Sequence, residues 1–178
     1  MSKKTALLLI DVQNIMFSYE GGPLWNEQQV LQNITYLREK AHQSNVPIIY
    51  IQHTDPSYNS MLSEGKVTWE IHRDVSPLPT DIVIQKSSWD AFYQTTLHKK
   101  LQELEIGKLV IAGMQTEFCL DTTCRRAYSL GYNENILVKD AHSTFDTAVL
   151  SASKIVEHHN NILDGRFVTL KEVKKIIF

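Results

Sequence analysis

Three residues of this chain have the types that hydrolytic chemistry needs: Asp11, Lys86 and Cys119. A thiol attacks a carbonyl carbon as its thiolate, and with a free pKa near about 8.5 it is mostly protonated at neutral pH. A neighbouring carboxylate can take that proton and later return it to a leaving nitrogen. A nearby ammonium can offset the negative charge the pair accumulates. Each residue alone has an ordinary explanation: an Asp in a turn, a Lys at a solvated strand end, a Cys as a small core residue. What sets these three apart is that each follows closely on an apolar run.

Those runs read as buried strands. Residues 5–10 (TALLLI) are continuously apolar, as a strand covered on both faces must be. Further strands are expected at 47–51 (PIIYI), 81–85 (DIVIQ), 108–112 (KLVIA) and 135–139 (NILVK), with a short sixth at 161–163. Helical spacing separates them. Val30, Ile34, Leu37 and Ala41 form one stripe, and Leu97, Leu101 and Leu104 another, whose helix Ser88 can cap. A helix over about 116–130 closes at Gly131, another opens at Thr144, and Thr169-x-x-Glu172 is a capping box for a last helix. Strand–helix alternation of this kind predicts a three-layer α/β/α fold around a parallel sheet of about six strands. Residues 54–80 show little periodicity but carry three prolines, Trp69 and Met61, and a connection that long is expected to wall or cover a site.

In such a sheet ligands bind outside the carboxyl ends of the strands. Asp11 directly follows the first run, Lys86 the third, and Cys119 lies in the first turn of the helix after the fourth. Unpaired N–H groups at a helix N-terminus lower a thiol pKa, so Cys119 is the expected nucleophile and Cys124, a turn deeper, a core residue. His53, at the end of the second strand, is either a pocket hydrogen-bonder or a satisfied structural histidine. Trp69 and Phe118 are expected to wall an apolar pocket, whereas Trp89 and Phe92 are not. His142, His158 and His159 read as surface or loop-packing residues.

Composition narrows the class. At 178 residues the chain suits one domain spanning 1–178, and 43% hydrophobic with 21% charged residues is globular rather than disordered. A net charge of −2 without a basic block recommends neither nucleic acid nor an anionic membrane. The six-residue apolar run ending at Asp11 is too short for a signal peptide, which predicts a cytoplasmic location. Two cysteines without a CxxC pattern are expected to remain unbridged and to make no zinc site.

The stretch LVIAGMQTEFCLDTTCRRA resembles the nucleophile segment of isochorismatase-like cysteine hydrolases, with Gly113, Thr116, Cys119, Thr123 and Ala127 on the family pattern. LLLIDVQNIMF is similar to the family's first strand with its Asp-x-Gln, here Asp11 and Gln13, and IVIQKSSWDAF to its lysine segment, with Lys86 and Phe92. WEIHRDVSPLP and LVKDAHSTF extend the likeness over nearly the whole chain, in order. The resemblance implies an Asp11–Lys86–Cys119 triad and strand order 3-2-1-4-5-6. It also implies a cis peptide at Met114–Gln115, an oxyanion hole from the Gln115 and Cys119 N–H groups, and homo-oligomers, most simply dimers. Gln13, His53, Trp69 and Phe118 are the candidate substrate contacts. The metal-binding branch carries an Asp-x-His pair after the second strand; here the order is reversed, His53-Thr54-Asp55, and the next histidine is His72. No metal and no cofactor are therefore expected.

The reaction expected is hydrolysis of a C–N bond in a small amide, ureide or lactam. Two rivals share the fold: vinyl-ether hydrolysis of the isochorismatase type, which needs no thiol, and a non-catalytic small-molecule-binding domain. A flavodoxin-like nucleotide binder is disfavoured, because the turns after the first and fourth strands lack a glycine-rich phosphate loop.

Overall fold

The computed structural model describes residues 3–18 and 23–178; the first two residues of the N-terminal segment lie outside them. Six strands form one sheet in the order β3-β2-β1-β4-β5-β6. They are β1 (Lys4–Ile10), β2 (Ile48–His53), β3 (Ile82–Lys86), β4 (Ile106–Met114), β5 (Ile136–Ser143) and β6 (Thr169–Lys171), and every pairing is parallel. Four helices, α1 (Glu27–Gln43), α2 (Leu97–Glu103), α3 (Asp121–Ser129) and α4 (Ala152–Leu163), complete an α/β architecture of the expected kind and strand order. Among the described residues no helix is long and apolar enough to cross a membrane.

β1 explains the layering. Its side chains alternate, and both faces are dry. Ala6, Leu8 and Ile10 pack with Leu97, Leu101, Cys124 and Ala127 from α2 and α3. Leu7 and Leu9 pack with Val30, Ile34, Leu37 and Ala41, the predicted stripe of α1. Each leucine, isoleucine or valine among them, fully withdrawn from water, contributes roughly 1.5–3 kcal/mol. The sequence order reverses between β1 and β4, so the edge where ligands bind in such sheets lies between the ends of these two strands.

Four expectations give way at helix and strand boundaries. Residues 161–163 are the last turn of α4, not a strand. The sixth strand is Thr169–Lys171, pairing with Ile136–Val138 where a capped helix was expected. Glu172 does not cap Thr169, because Lys139 and Lys175 take its carboxylate. The helix expected from Thr144 starts at Ala152, whose N–H is accepted by Asp146 Oδ1. The helix expected from Ser88 starts only at Leu97, because Asp90 accepts the Phe92 N–H in a local turn and Gln94 has a left-handed φ of 53°. Gly131 does close α3, with φ 95° and the Tyr132 N–H bonded to the Ala127 carbonyl.

The 54–80 segment contains one short 3-10 turn, Arg73–Val75, and otherwise runs irregularly. Backbone bonds from Asn14 N to Glu70 O, Ile15 N to Thr68 O and His72 N to Val12 O lay its second half against residues 12–15, just past the end of β1.

Candidate active site

β1, β2, β3 and β4 all end at one edge, and each delivers a polar residue there. Asp11 follows β1 with a left-handed φ of 49°, which Asp tolerates better than most residues; its N–H is held by the Ile51 carbonyl at 2.9 Å. β4 can come this close to β1 only because residue 113 is glycine. A Cβ there would lie 2.0 Å from the Ile10 carbonyl oxygen, and φ is 125°. His53 ends β2 beside Lys86, its register partner on β3. The chain leaving β4 makes a π turn, Thr116–Leu120, before α3 begins, and Cys119 sits in that turn.

Lys86 joins the set. Its Nζ lies 2.8 Å from Asp11 Oδ2, 2.9 Å from His53 Nδ1 and 3.2 Å from Cys119 Sγ, with the residue only 3% exposed. An ammonium has three protons to give and no lone pair, so all three neighbours accept. The strand order places Lys86 two strands from Asp11, and its long side chain spans β2 to reach it. Asp11 is buried, only 1% exposed.

The thiol departs from expectation. Burial, and then the Asp11 carboxylate, push the Cys119 pKa up to about 12, against the opposing pull of Lys86. A depressed value was expected from a helix N-terminus, but Cys119 precedes α3 and is almost wholly buried beside a carboxylate. At neutral pH it rests as a thiol. Cys124 is fully buried, and burial raises its pKa further. The two thiols are unbridged.

His53 has its pKa lowered, first by burial and then by Lys86, so its ring is neutral at pH 7. Its main chain is clamped by Gln13, whose Oε1 accepts the His53 N–H at 2.8 Å and whose Nε2 donates to the His53 carbonyl at 3.0 Å and the Trp69 carbonyl at 2.7 Å. Gln13 is fully buried, and these three bonds engage its side chain from both ends. Trp69 is half-buried and donates its indole N–H to Thr54 Oγ1 at 2.9 Å.

The Met114–Gln115 peptide is cis, as the resemblance implied. The Gln115 carbonyl accepts the N–H groups of Phe118 and Leu120, both at 3.2 Å, which shapes the turn around Cys119. Sequence reasoning missed a second support for that turn. His142 is fully buried on β5 rather than on the surface. Its Nε2 lies 3.0 Å from Asn160 Oδ1, and its Nδ1 accepts the Thr116 hydroxyl at 2.9 Å. Burial pushes its pKa down to about 4. β5 continues four residues beyond the run 135–139, to Ser143, past the polar Lys139-Asp140 pair at which the apolar pattern breaks off.

A cleft of about 380 Å³ opens beside the turn. Gln115 and Phe118, which precede Cys119 in the chain, form one wall, and Ile15, Met16, Leu62 and Phe145 form most of the rest, with Glu117 and Asp146 the charged lining residues. Leu62 brings the 54–80 segment into the wall; Trp69 is not among the lining residues. Phe92 is in the core and Trp89 faces solvent.

The donor atoms of Asp11, His53 and Cys119 lie within 4.8 Å of one another, a spacing a metal ion can span. The same three residues are the acceptors of the Lys86 ammonium, so a dication among them would compete with a cation already bonded to each. The reversed pair offers no alternative. Asp55 Oδ1 caps the Ser57 N–H, and His72 Nδ1 accepts the Asp74 N–H. These residues do not suit a catalytic metal.

A parallel α/β sheet with a lysine, a carboxylate and a thiol in contact at its topological switch holds the groups that hydrolytic chemistry needs. Comparison with known proteins agrees: the model of the isochorismatase domain matches residues 5–160, and the chain belongs to the isochorismatase family of hydrolases. It is 33% identical to the uncharacterised isochorismatase family protein YddQ of Bacillus subtilis, over 97% of this chain and 98% of that one. It is 29% identical to nicotinamidase 3 of Arabidopsis thaliana, over 85% of this chain and 79% of that one. A crystallised isochorismatase family protein superposes with a TM-score of 0.87 at 37% identity, covering 94% of this chain and 98% of that one.

Proposed function

We propose that this protein hydrolyses the C–N bond of a small amide, ureide or lactam through a thioester on Cys119. The observation that carries the reading is the contact of one ammonium, Lys86, with both the Asp11 carboxylate and the Cys119 sulfur. Because the resting thiol is protonated, the proton must leave as the sulfur attacks. Asp11 receives it, the S–C bond forms, and the carbonyl electron pair moves onto oxygen, where the Gln115 and Cys119 N–H groups stabilise it. Collapse breaks the C–N bond, and Asp11 returns the proton to the departing nitrogen. Water, deprotonated by Asp11, then attacks the thioester carbonyl; the S–C bond breaks as the acid is released, and Asp11 returns the proton to the Cys119 sulfur, restoring the thiol and the carboxylate. Lys86 keeps the proton-carrying carboxylate in place and offsets the charge passed between it and the sulfur. Amide hydrolysis by a relative, the nicotinamidase, supports this chemistry.

Vinyl-ether hydrolysis of isochorismate-like substrates is the second reading, since the Asp alone could protonate the ether. The cleft weighs against it. Its charged lining residues, Glu117 and Asp146, are both acids, and Glu117 Oε2 is buried with no hydrogen-bond partner among the described residues. Such walls repel a dicarboxylate and suit neutral or cationic amides. The protein is proposed to work in the cytoplasm, without cofactor, as a homo-oligomer, most simply a dimer; a monomeric mass by light scattering at micromolar concentration would refute the last point. The deciding experiment for the reaction is mass spectrometry of the protein quenched during turnover of an amide and ureide panel. An acyl adduct on the Cys119 peptide is expected. Full activity in Cys119→Ser would transfer the protein to the ether-hydrolase reading, and no turnover or adduct with any substrate would favour a binding domain.

A further inference from the structure

The third acceptor on Lys86 has no part in the reaction as just described. Asp11 and Cys119 exchange the proton; His53 only receives a hydrogen bond. Its placement is nonetheless closely determined. The β2–β3 register sets it directly beside Lys86, and Gln13 grips its main chain at both N–H and C=O. Gln13 is itself tied to Trp69 and buried without exposure. A buried, doubly bonded amide is a rigid support.

We propose that His53 is a positioning residue for Lys86: its neutral ring, protonated on Nε2 and anchored through Gln13, supplies the acceptor that fixes the ammonium between Asp11 and Cys119. The tautomer follows from the hydrogen bond, because an ammonium only donates and Nδ1 must therefore carry a lone pair. The catalytic consequence rests on the cysteine-hydrolase reading; the tautomer and the thiol reactivity do not.

Without this acceptor one proton of a buried ammonium would go unpaired, and the side chain could turn away from the sulfur. Protonation of His53 would have the same result, since an N–H on Nδ1 would face the ammonium. The charged groups facing the ring are Lys86 from β3, Asp11 from the end of β1, and Asp55 from the following segment, with the Cys119 thiol from the π turn. Burial and Lys86 resist the second proton, and the two carboxylates favour it. The network is therefore intact at neutral pH and opens on acidification.

The test compares the native protein with His53→Asn and His53→Leu. Asn can place an acceptor oxygen near the Nδ1 position and cannot titrate; Leu fills space and accepts nothing. Long-range proton–nitrogen NMR of the free native protein at pH 7 should show the Nε2–H tautomer; an Nδ1–H or doubly protonated ring would overturn the proposal. Iodoacetamide labelling of Cys119 should slow about tenfold in His53→Leu and stay within about threefold of native in His53→Asn. Below neutral pH the native labelling rate should show an extra decline that His53→Asn lacks. On an amide substrate His53→Leu should lower kcat and leave KM unchanged. A raised KM with unchanged kcat would assign the ring to the substrate instead, and equal losses in both variants would show that the acceptor is not what matters. If Cys119→Ala retains full activity, the hydrolase reading fails by itself, while the NMR and labelling results still decide the role of His53.

Discussion

The Lys86 ammonium lies 3.2 Å from the Cys119 sulfur, yet the thiol pKa is pushed up to about 12, because burial and the Asp11 carboxylate outweigh that one cation. The resting site thus holds a protonated thiol beside the Lys86–Asp11 salt bridge. On the proposed mechanism, a proton must therefore leave the sulfur as it attacks.

The two neighbours should therefore shift labelling in opposite directions. Asp11→Asn removes a charge that raises the thiol pKa, so Cys119 should alkylate faster than native at pH 8, while turnover falls by about 10²–10⁴ for want of the acid–base group. Lys86→Met removes the charge that lowers it, so alkylation should slow. Peptide mass spectrometry after iodoacetamide treatment reads both, and Cys124 should stay unlabelled in the folded protein. Labelling of Cys124 ahead of Cys119 would refute this assignment of the nucleophile.

Gly113 presses β4 onto β1, with the position of its missing Cβ 2.0 Å from the Ile10 carbonyl oxygen. Gly113→Ala must push these two backbones apart, in a conformation that L side chains rarely adopt. A loss of more than about 3 kcal/mol in urea-denaturation stability is expected. A loss below about 1 kcal/mol would mean that the two strands can separate freely at this edge.

His142 makes stability depend on pH. Its folded-state pKa of about 4 lies below the ordinary value of 6.5, so between these values the unfolded chain binds the extra proton and the folded one does not. The contribution is complete above about pH 6.5 and is lost as pH falls toward 4, amounting to roughly 3 kcal/mol over the window. Urea titrations at pH 7 and pH 4.5 should show the loss in the native protein and a smaller one in His142→Asn. An equal loss in both would place the acid sensitivity elsewhere.

Glu117 is one of the two acids lining the cleft. With Glu117→Gln, kcat/KM for amides bearing a carboxylate should rise about tenfold relative to amides bearing an amine, as the repulsion in a partly dry pocket is relieved. Steady-state assays on matched substrate pairs read the ratio. An unchanged ratio would show that the substrate does not approach Glu117.

Much of the fold was legible in the residues because its evidence is local. A parallel strand covered on both faces must be apolar throughout, so β1, β2 and β4 announce themselves, and a helix packed on one side must repeat its apolar positions, so α1 does too. Elements stabilised by distant partners were harder to read. β6 is a strand because β5 offers it an unpaired edge, although its own residues spell a helix cap. The long approach to α2 stays irregular because side chains of Asp90 and Thr95 capture backbone N–H groups that a helix would use.

The candidate site divides in the same way. That Asp11, Lys86 and Cys119 each follow an apolar run is a property of the chain, and any parallel sheet built from those runs brings their positions to one edge. What stands between them is not. The order β3-β2-β1-β4 puts β2 in the path of the Lys86 side chain, making His53 its neighbour and Gln13 the support of His53. The burial of Cys119 beside a carboxylate reverses the pKa shift expected from its place along the chain, and His142, read as a surface or loop-packing residue, lies fully buried on a strand. Spacing along a sequence reports which backbone a residue belongs to. Protonation and hydrogen bonding depend on solvent exclusion and on groups a few ångströms away, and these are settled only when distant segments pack together.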